Sequence, residues 1–226
     1  FDDLTSALSK AVSWGYLDAH PFPDVKRIRT DEAATVRFLS DEEEKAMFAA
    51  LDAREERMRQ ERDSANAWRR ERGYELLPDL RKSPFADHLK PLVVLSLHTG
   101  IRRGEAFHLR WNDVALQRAL LTVRGSSAKS AQTRHVPLNQ AALEALRLWR
   151  GFRGDSCPDE LVFPGQHGRP LTNVRRSWEG VLKVAGIGSF RWHDLRHTFA
   201  SRLVMAGVDL NTVRELLGHS TIAMTL

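Results

Sequence analysis

Residues 192–201 read Trp192-His193-Asp194-Leu195-Arg196-His197-Thr198-Phe199-Ala200-Ser201. As a helix, this run sets His193 and Arg196 three apart on one face and Leu195 and Phe199 four apart on the opposite one. The pattern predicts a helix from His193 to Met205, with Leu195, Phe199, Leu203 and Val204 inward and Gly207 ending it. A second short helix is predicted over Asn211 to Leu217. Gly218 stops it and leaves His219 just beyond its end. Two helix termini that carry a His, an Arg and a further His make a cationic pocket suited to a phosphate.

Upstream, Val174, Trp178, Val181 and Leu182 mark another helix, and Leu161-Val162-Phe163-Pro164-Gly165 a short extended piece and loop. Asn139 can cap a helix from Gln140 to about Trp149. Ala119–Val123 and Arg134–Leu138 read as two strands joined by a turn at Gly125-Ser126-Ser127. Leu89–Leu97 is an apolar helix stopped by Thr99-Gly100. A short helix follows, with Ala106, Leu109 and Trp111 as its buried side. Ser40-Asp41-Glu42-Glu43 is a capping-box pattern, and it opens a helix with Met47, Phe48 and Leu51 on its apolar face. From Arg54 to Arg72 the chain is dense in Arg and Glu. That stretch reads as a solvated helical extension laced with i,i+4 ion pairs rather than a nucleic-acid contact. The predicted fold class is α+β, mainly helical, with one small antiparallel β-sheet.

The first segment stands apart. Leu4, Leu8, Ala11, Val12 and Leu17 recur at helical spacing, Pro21-Phe22-Pro23 breaks the helix, and residues 24–36 are polar, basic and aperiodic. A lone helix followed by a linker has little to pack on. Residues 1–36 are therefore expected to be the tail helix of an upstream domain plus a linker, and residues 37–226 the domain itself. The chain opens on Phe1, not Met, and is expected to be a fragment or a trimmed piece.

A chain of 226 residues can bury a substantial core in one or two domains. A net charge of +5 and a pI of about 9.7 favour an anionic partner, nucleic acid first, while saying nothing about fold. Cys157 is the only cysteine, which excludes an internal disulfide or a thiolate metal cluster and fits a reducing cytosol. The longest apolar run, Leu92 to Leu97, is interrupted by Ser96 and is far too short to span a bilayer. No signal peptide is visible.

The candidate chemistry lies in four segments. Arg102 follows Thr99-Gly100-Ile101 at a helix start, where Glu105 three residues on could hold its guanidinium. Lys129 sits in or beside the turn between the strands. His193 and Arg196 share a helix face, and His219 follows Gly218. Taken singly, each has an ordinary explanation: a surface Arg, a solvated turn Lys, a helix-terminal His, a polar residue at a helix end. As a set they are what a phosphodiester needs during nucleophilic displacement. Arginines bind the nonbridging oxygens and stabilise the charge that builds on them. A Lys or His can protonate the leaving sugar oxygen, and a His can take a proton from the nucleophile. No acidic cluster suited to two metal ions accompanies them.

The sequence resembles the tyrosine recombinases of the phage-integrase type. The resemblance rests on Thr99-Gly100-Ile101-Arg102-Arg103-Gly104-Glu105, on Ala128-Lys129-Ser130 leading to His135-Val136-Pro137-Leu138, on His193-Asp194-Leu195-Arg196-His197-Thr198-Phe199-Ala200, and on Leu217-Gly218-His219. These occur in the family's order and near its spacing, over about Phe38 to Leu226. Ala11-Val12-Ser13-Trp14-Gly15 with Pro21-Phe22 is similar to the end of the family's core-binding domain. The resemblance implies the tyrosine-recombinase catalytic fold, double-stranded DNA as substrate, other recombinase protomers as partners in a multimer on DNA, no cofactor and no metal, and a cytoplasmic site in a bacterial or phage-host cell. It implies that Arg102 and Arg196 clamp the scissile phosphate, Lys129 protonates the leaving 5′-oxygen, His193 moves a proton near the nucleophile, His219 hydrogen-bonds the phosphate and Glu105 supports Arg102. In the family a tyrosine attacks DNA to form a 3′-phosphotyrosine bond, which conserves the bond energy without ATP. That tyrosine would stand at position 228, nine residues after His219, past Leu226. Tyr16 and Tyr74 do not fit the position. The chain as given is expected to bind DNA but not cleave it.

Three other readings compete. His193 and His197 are four apart on a helix, and with His219 they could ligate zinc, although Asp194 stands where H-E-x-x-H has its Glu. A DNA-binding regulator without catalysis could use the basic face alone. A type IB topoisomerase-like enzyme would share the chemistry without strand exchange, and the paired upstream helix and integrase-type motifs argue against it.

Overall fold

The computed structural model describes residues 2–22, 37–125, 132–154 and 157–221. The chain divides into two units, Phe1–Thr35 and Val36–Leu226. In the first, α1 (Asp2–Ser13) ends in a turn where Tyr16 N–H donates to Ala11 O, with Gly15 at positive φ. The whole of the predicted linker (residues 24–36), the turn at Ser126-Ser127 and Lys129 lie outside the described residues.

In the second unit, Ser40 caps α2 (Asp41–Glu71). Its hydroxyl accepts from Glu43 N–H while the Glu43 carboxylate accepts from Ser40 N–H, the reciprocal pair the sequence predicts. Met47, Ala50 and Leu51 bury the first turns, and α2 packs against α6 (Arg175–Ala185). Beyond them the prediction of an i,i+4-laced solvated helix needs correction. Arg57–Glu61 and Arg59–Glu55 have that spacing, but most polar contacts run to the returning chain. Asn66 bonds both the N–H and the C=O of Leu77, at 2.8 and 3.0 Å. Arg62 and Arg69 donate to the carbonyls of Pro78 and Glu75, and Arg81 bridges Asp63 and Glu56. Trp68 and Tyr74 stack at the tip. Glu55 is not solvated either. It is buried, accepts from Ala86 N–H at 3.0 Å, and lies 3.7 Å from both Lys90 and Arg59. Burial raises its pKa against the pull of those partners.

The centre of the core is α3 (Leu89–Thr99), packed against α5 (Gln140–Arg153) and α7 (Asp194–Met205). It is apolar nearly all round because neighbours cover it on several sides. Asn139 caps α5 by accepting from Ala142 N–H. After α3 comes α4 (Arg103–Phe107), shorter than its apolar pattern suggests. Leu109 and Trp111 are buried as predicted, but they follow the helix, and Trp111 opens a 3-10 turn over Trp111–Asp113. The sheet has three antiparallel strands where the sequence predicts two, in the order β1 (Val114–Ala115), β2 (Leu120–Val123), β3 (Arg134–Pro137), with Leu121 opposite both Val114 and Val136. A two-residue strand is too short to show alternation, so β1 leaves no pattern to read.

The final pair of helices, α7 and α8 (Leu210–Leu217), contact each other, and α8 also contacts β3. Two expectations for α7 are overturned. Val204 is exposed, and Arg196 is buried beside Asp194, Leu195 and Thr198 instead of lying on an outer face.

Candidate active site

Three consecutive carbonyls close α8, and each is held by a different arginine. Leu216 O accepts from Arg134 Nε at 2.9 Å, Leu217 O from Arg196, and Gly218 O from Arg102 at 3.1 Å. Helix C-termini leave such carbonyls without intrahelical donors and carry partial negative charge, so cations settle there. Arg196 also donates to Gly100 O at 2.8 Å, the carbonyl that ends α3. One buried guanidinium therefore ties two helix ends together, which explains why Arg196 points inward.

Both ends need glycine. Gly100 has φ +62°, and a Cβ there would lie 2.4 Å from Phe199 Cδ1. Gly218 has φ +65°, and a Cβ would lie 3.0 Å from Arg134 Cδ. The left-handed turn at each, with no side chain, lets the arginines approach the backbone.

Glu105 is buried among these groups. Its carboxylate accepts from Arg102 N–H at 2.8 Å and from the Arg102 guanidinium at 3.0 Å. Its closer partner is Arg134, bonded through both terminal nitrogens at 3.1 and 2.6 Å. Burial pushes the Glu105 pKa up, but the hydrogen bonds and charge of Arg134, and then those of Arg102, hold it below the usual carboxylate range. The sequence pairs Glu105 with Arg102 alone. Arg134 was missed as a site residue, although a signal existed. Arg134, Val136 and Leu138 alternate inward along β3 and beyond it, so a charged residue occupies a core-facing position.

The electrostatics are one-sided. Burial, and then the like charges of Arg102 and Arg134, push the Arg196 pKa down to about 9, with only Glu105 opposing. His219 N–H donates to Arg214 O at 3.0 Å, and its imidazole feels the charges of the same cluster. Burial and the charges of Arg196 and Arg102 push its pKa down to about 4. His193 precedes α7, 4.9 Å from the His197 ring in an edge-on contact. Desolvation, His197 and Arg196 lower its pKa, against Asp194. Both histidines are neutral at pH 7 and able to accept a proton. A buried cation whose charge is disfavoured by its neighbours is stabilised when an anion arrives.

The structure thus brings Arg102, Glu105, Arg196 and His219 together with His193 at the margin. Lys129 lies outside the described residues. Among the described residues no group of three or more His, Cys, Asp or Glu side chains is arranged to hold a metal ion, and no helix is long and apolar enough to cross a membrane.

The phage integrase family matches residues 69–226. The integrase of Salmonella phage P22 is 34% identical over 145 residues, covering 60% of this chain and 37% of that protein. Tyrosine recombinase XerC of Xanthomonas campestris pv. campestris (strain B100) is 38% identical over 141 residues, covering 60% of this chain and 42% of that protein. The matched region thus spans less than half the length of these curated relatives. Among solved structures, the Tn1549 transposon integrase in complex with a circular intermediate DNA superposes with a TM-score of 0.67 at 19% identity, over 99% of this chain and 71% of that one, a likeness of fold.

Proposed function

Since the chain belongs to the phage integrase family of tyrosine recombinases, we propose that it is the catalytic part of a site-specific DNA recombinase, carried by a mobile element. It would cleave and rejoin duplex DNA in the bacterial cytoplasm. The observation that carries this reading is the set of three guanidiniums, Arg102, Arg134 and Arg196, gathered around the single carboxylate of Glu105. Their excess positive charge fits a phosphodiester.

In the proposed step a tyrosine oxygen attacks the scissile phosphorus. Arg102 and Arg196 bind the nonbridging oxygens and stabilise the charge that builds there. The bond to the 5′-oxygen breaks, and Lys129 supplies its proton. Neutral His193 takes the proton of the nucleophile, and His219 hydrogen-bonds the phosphate. Glu105 fixes Arg102. The 3′-phosphotyrosine link keeps the energy of the broken bond, so a 5′-hydroxyl of the partner strand can displace the tyrosine without ATP. Recombination needs four such cleavages, hence several protomers on one DNA assembly. The nucleophile is proposed at position 228. Tyr16 belongs to the first unit, and Tyr74 is stacked on Trp68 at the tip of α2. Residues 1–226 alone would then bind DNA and leave it uncut. The Tn1549 transposon integrase, which shares this fold, is in complex with a circular intermediate DNA, and this supports DNA as the ligand proposed here.

The test is a chain continued through position 228, incubated with a nicked suicide duplex bearing its attachment site. The reading predicts a covalent protein–DNA adduct that disappears when the tyrosine is replaced by Phe. Binding without any adduct on a verified site would instead favour a DNA-binding regulator on the same fold.

A further inference from the structure

Arg134 is the one guanidinium of the cluster to which the proposed reaction assigns no task. It is also the one most completely used up by the protein. Its side chain is 7% exposed, both terminal nitrogens are committed to Glu105, and Nε is committed to Leu216 O. Arg102, by contrast, is 21% exposed and spends one nitrogen on Glu105 and one on Gly218 O. A guanidinium has five N–H donors in a fixed plane. Arg102 therefore keeps donors for a ligand, whereas Arg134 has its three nitrogens directed at protein atoms.

We propose that Arg134 is a positioning residue for the phosphate site. Resting on the recombinase reading, the proposal is that Arg134 sets the Glu105 carboxylate and the last turn of α8 so that Arg102 and His219 face one phosphate. The path is short at both ends. Glu105 is held in a two-pronged grip by Arg134, and the oxygens left oriented by that grip take the main-chain and side-chain N–H groups of Arg102. At the other end Arg134 bonds Leu216 O, and its Cδ and Nη1 would lie 3.0 Å from a Cβ at Gly218. The backbone at Gly218 is pressed against the guanidinium, and His219 is the next residue. β3 thereby acts as the ruler between α4 and the end of α8, two elements that contribute separate ligands.

The experiment uses the full chain through position 228 and compares Arg134→Met and Arg134→Lys with Val136→Ala. Val136 is a fully buried core neighbour on the same face of β3, with an apolar side chain that can make no hydrogen bond to these groups. Two readouts are taken: the single-turnover rate of adduct formation against the Kd for uncut duplex, and amide hydrogen exchange at Gly218 and His219. The proposal predicts that Arg134→Met slows adduct formation about 100-fold, the effect of a misplacement near 1 Å. Its Kd should stay within about threefold, with partial recovery in Arg134→Lys. Exchange at Gly218 and His219 should rise in Arg134→Met and not in Val136→Ala. Adding Glu105→Gln to Arg134→Met should cost little more than the worse single change, because both act through Arg102. A wild-type cleavage rate in Arg134→Met, a loss matched by Val136→Ala, or unchanged exchange at Gly218 and His219 would overturn it. The exchange readout decides the question even if the wild type forms no adduct, an outcome that would count against the recombinase reading alone.

Discussion

Replacing Gly100 by Ala tests the joint between α3 and α7 that aims Arg196. Two costs can be worked from the geometry. The residue sits at φ +62°, where a Cβ costs about 1–2 kcal/mol. The new methyl would also lie 2.4 Å from Phe199 Cδ1 and 3.1 Å from Leu217 Cδ2. Carbon pairs are content at about 3.5–4.0 Å, so the overlap is more than an ångström. Forced overpacking of this kind costs about 1–3 kcal/mol. Together, Gly100→Ala should destabilise the second unit by about 2–5 kcal/mol. At about 2–4 °C per kcal/mol for a domain of this size, Tm should drop by roughly 4–20 °C. Thermal and urea unfolding followed by circular dichroism measure it. Phe199→Ala in the same background separates the two terms. With the ring gone only the milder 3.1 Å approach to Leu217 Cδ2 remains, so the cost of Gly100→Ala should shrink towards the backbone part. A Gly100→Ala protein within 1 kcal/mol of wild type, or a cost that Phe199→Ala leaves unchanged, would refute the reasoning.

His219 should titrate near pH 4 in the free protein, against about 6.5 unfolded. Between those values the unfolded chain binds more protons, so stability should fall as the pH drops from 6.5 towards 4. A bound phosphodiester raises this pKa, so duplex affinity should gain from acidification in the same window. Imidazole NMR with and without duplex reads both, and a His219 titrating at 6.5 in the free protein contradicts the geometry. Along α2, Asn66→Ala removes both bonds to Leu77 and leaves its backbone groups unpaired, at a local cost of about 1–3 kcal/mol. Limited proteolysis should then cut residues 73–79 faster while duplex affinity stays unchanged. An unaltered cutting rate would mean that the returning segment is not held by Asn66.

Most of the helical frame was legible because its signals are local. The Ser40–Glu43 capping box, Asn139 before α5, and the glycines that end α3 and α8 are chosen by backbone groups a few residues away. Arg102, Glu105, Arg196 and His219, singled out from the sequence, are brought together by the fold, but their neighbours were not legible. Arg134 meets Glu105 across 29 positions in sequence, and Arg196 meets Gly100 across 96. Periodicity says which side of an element is apolar. It does not say that a buried arginine will be drawn inward by two helix ends that lack donors. The same limit explains Glu55 and the zipped return of residues 73–83. Both depend on partners far along the chain, Ala86 and Leu77 among them, so an Arg- and Glu-rich run looked merely solvated.

The central claim is that Arg196 serves the phosphate and not merely the fold. The most direct measurement is adduct formation and duplex Kd for Arg196→Ala and Arg196→Lys in the chain through position 228, with unfolding midpoints recorded alongside. The account predicts adduct formation reduced on the order of 1000-fold, as for loss of a charge-stabilising donor, in folded protein whose Kd changes by less than about tenfold because many other phosphate contacts remain. Wild-type cleavage in either folded variant would contradict it.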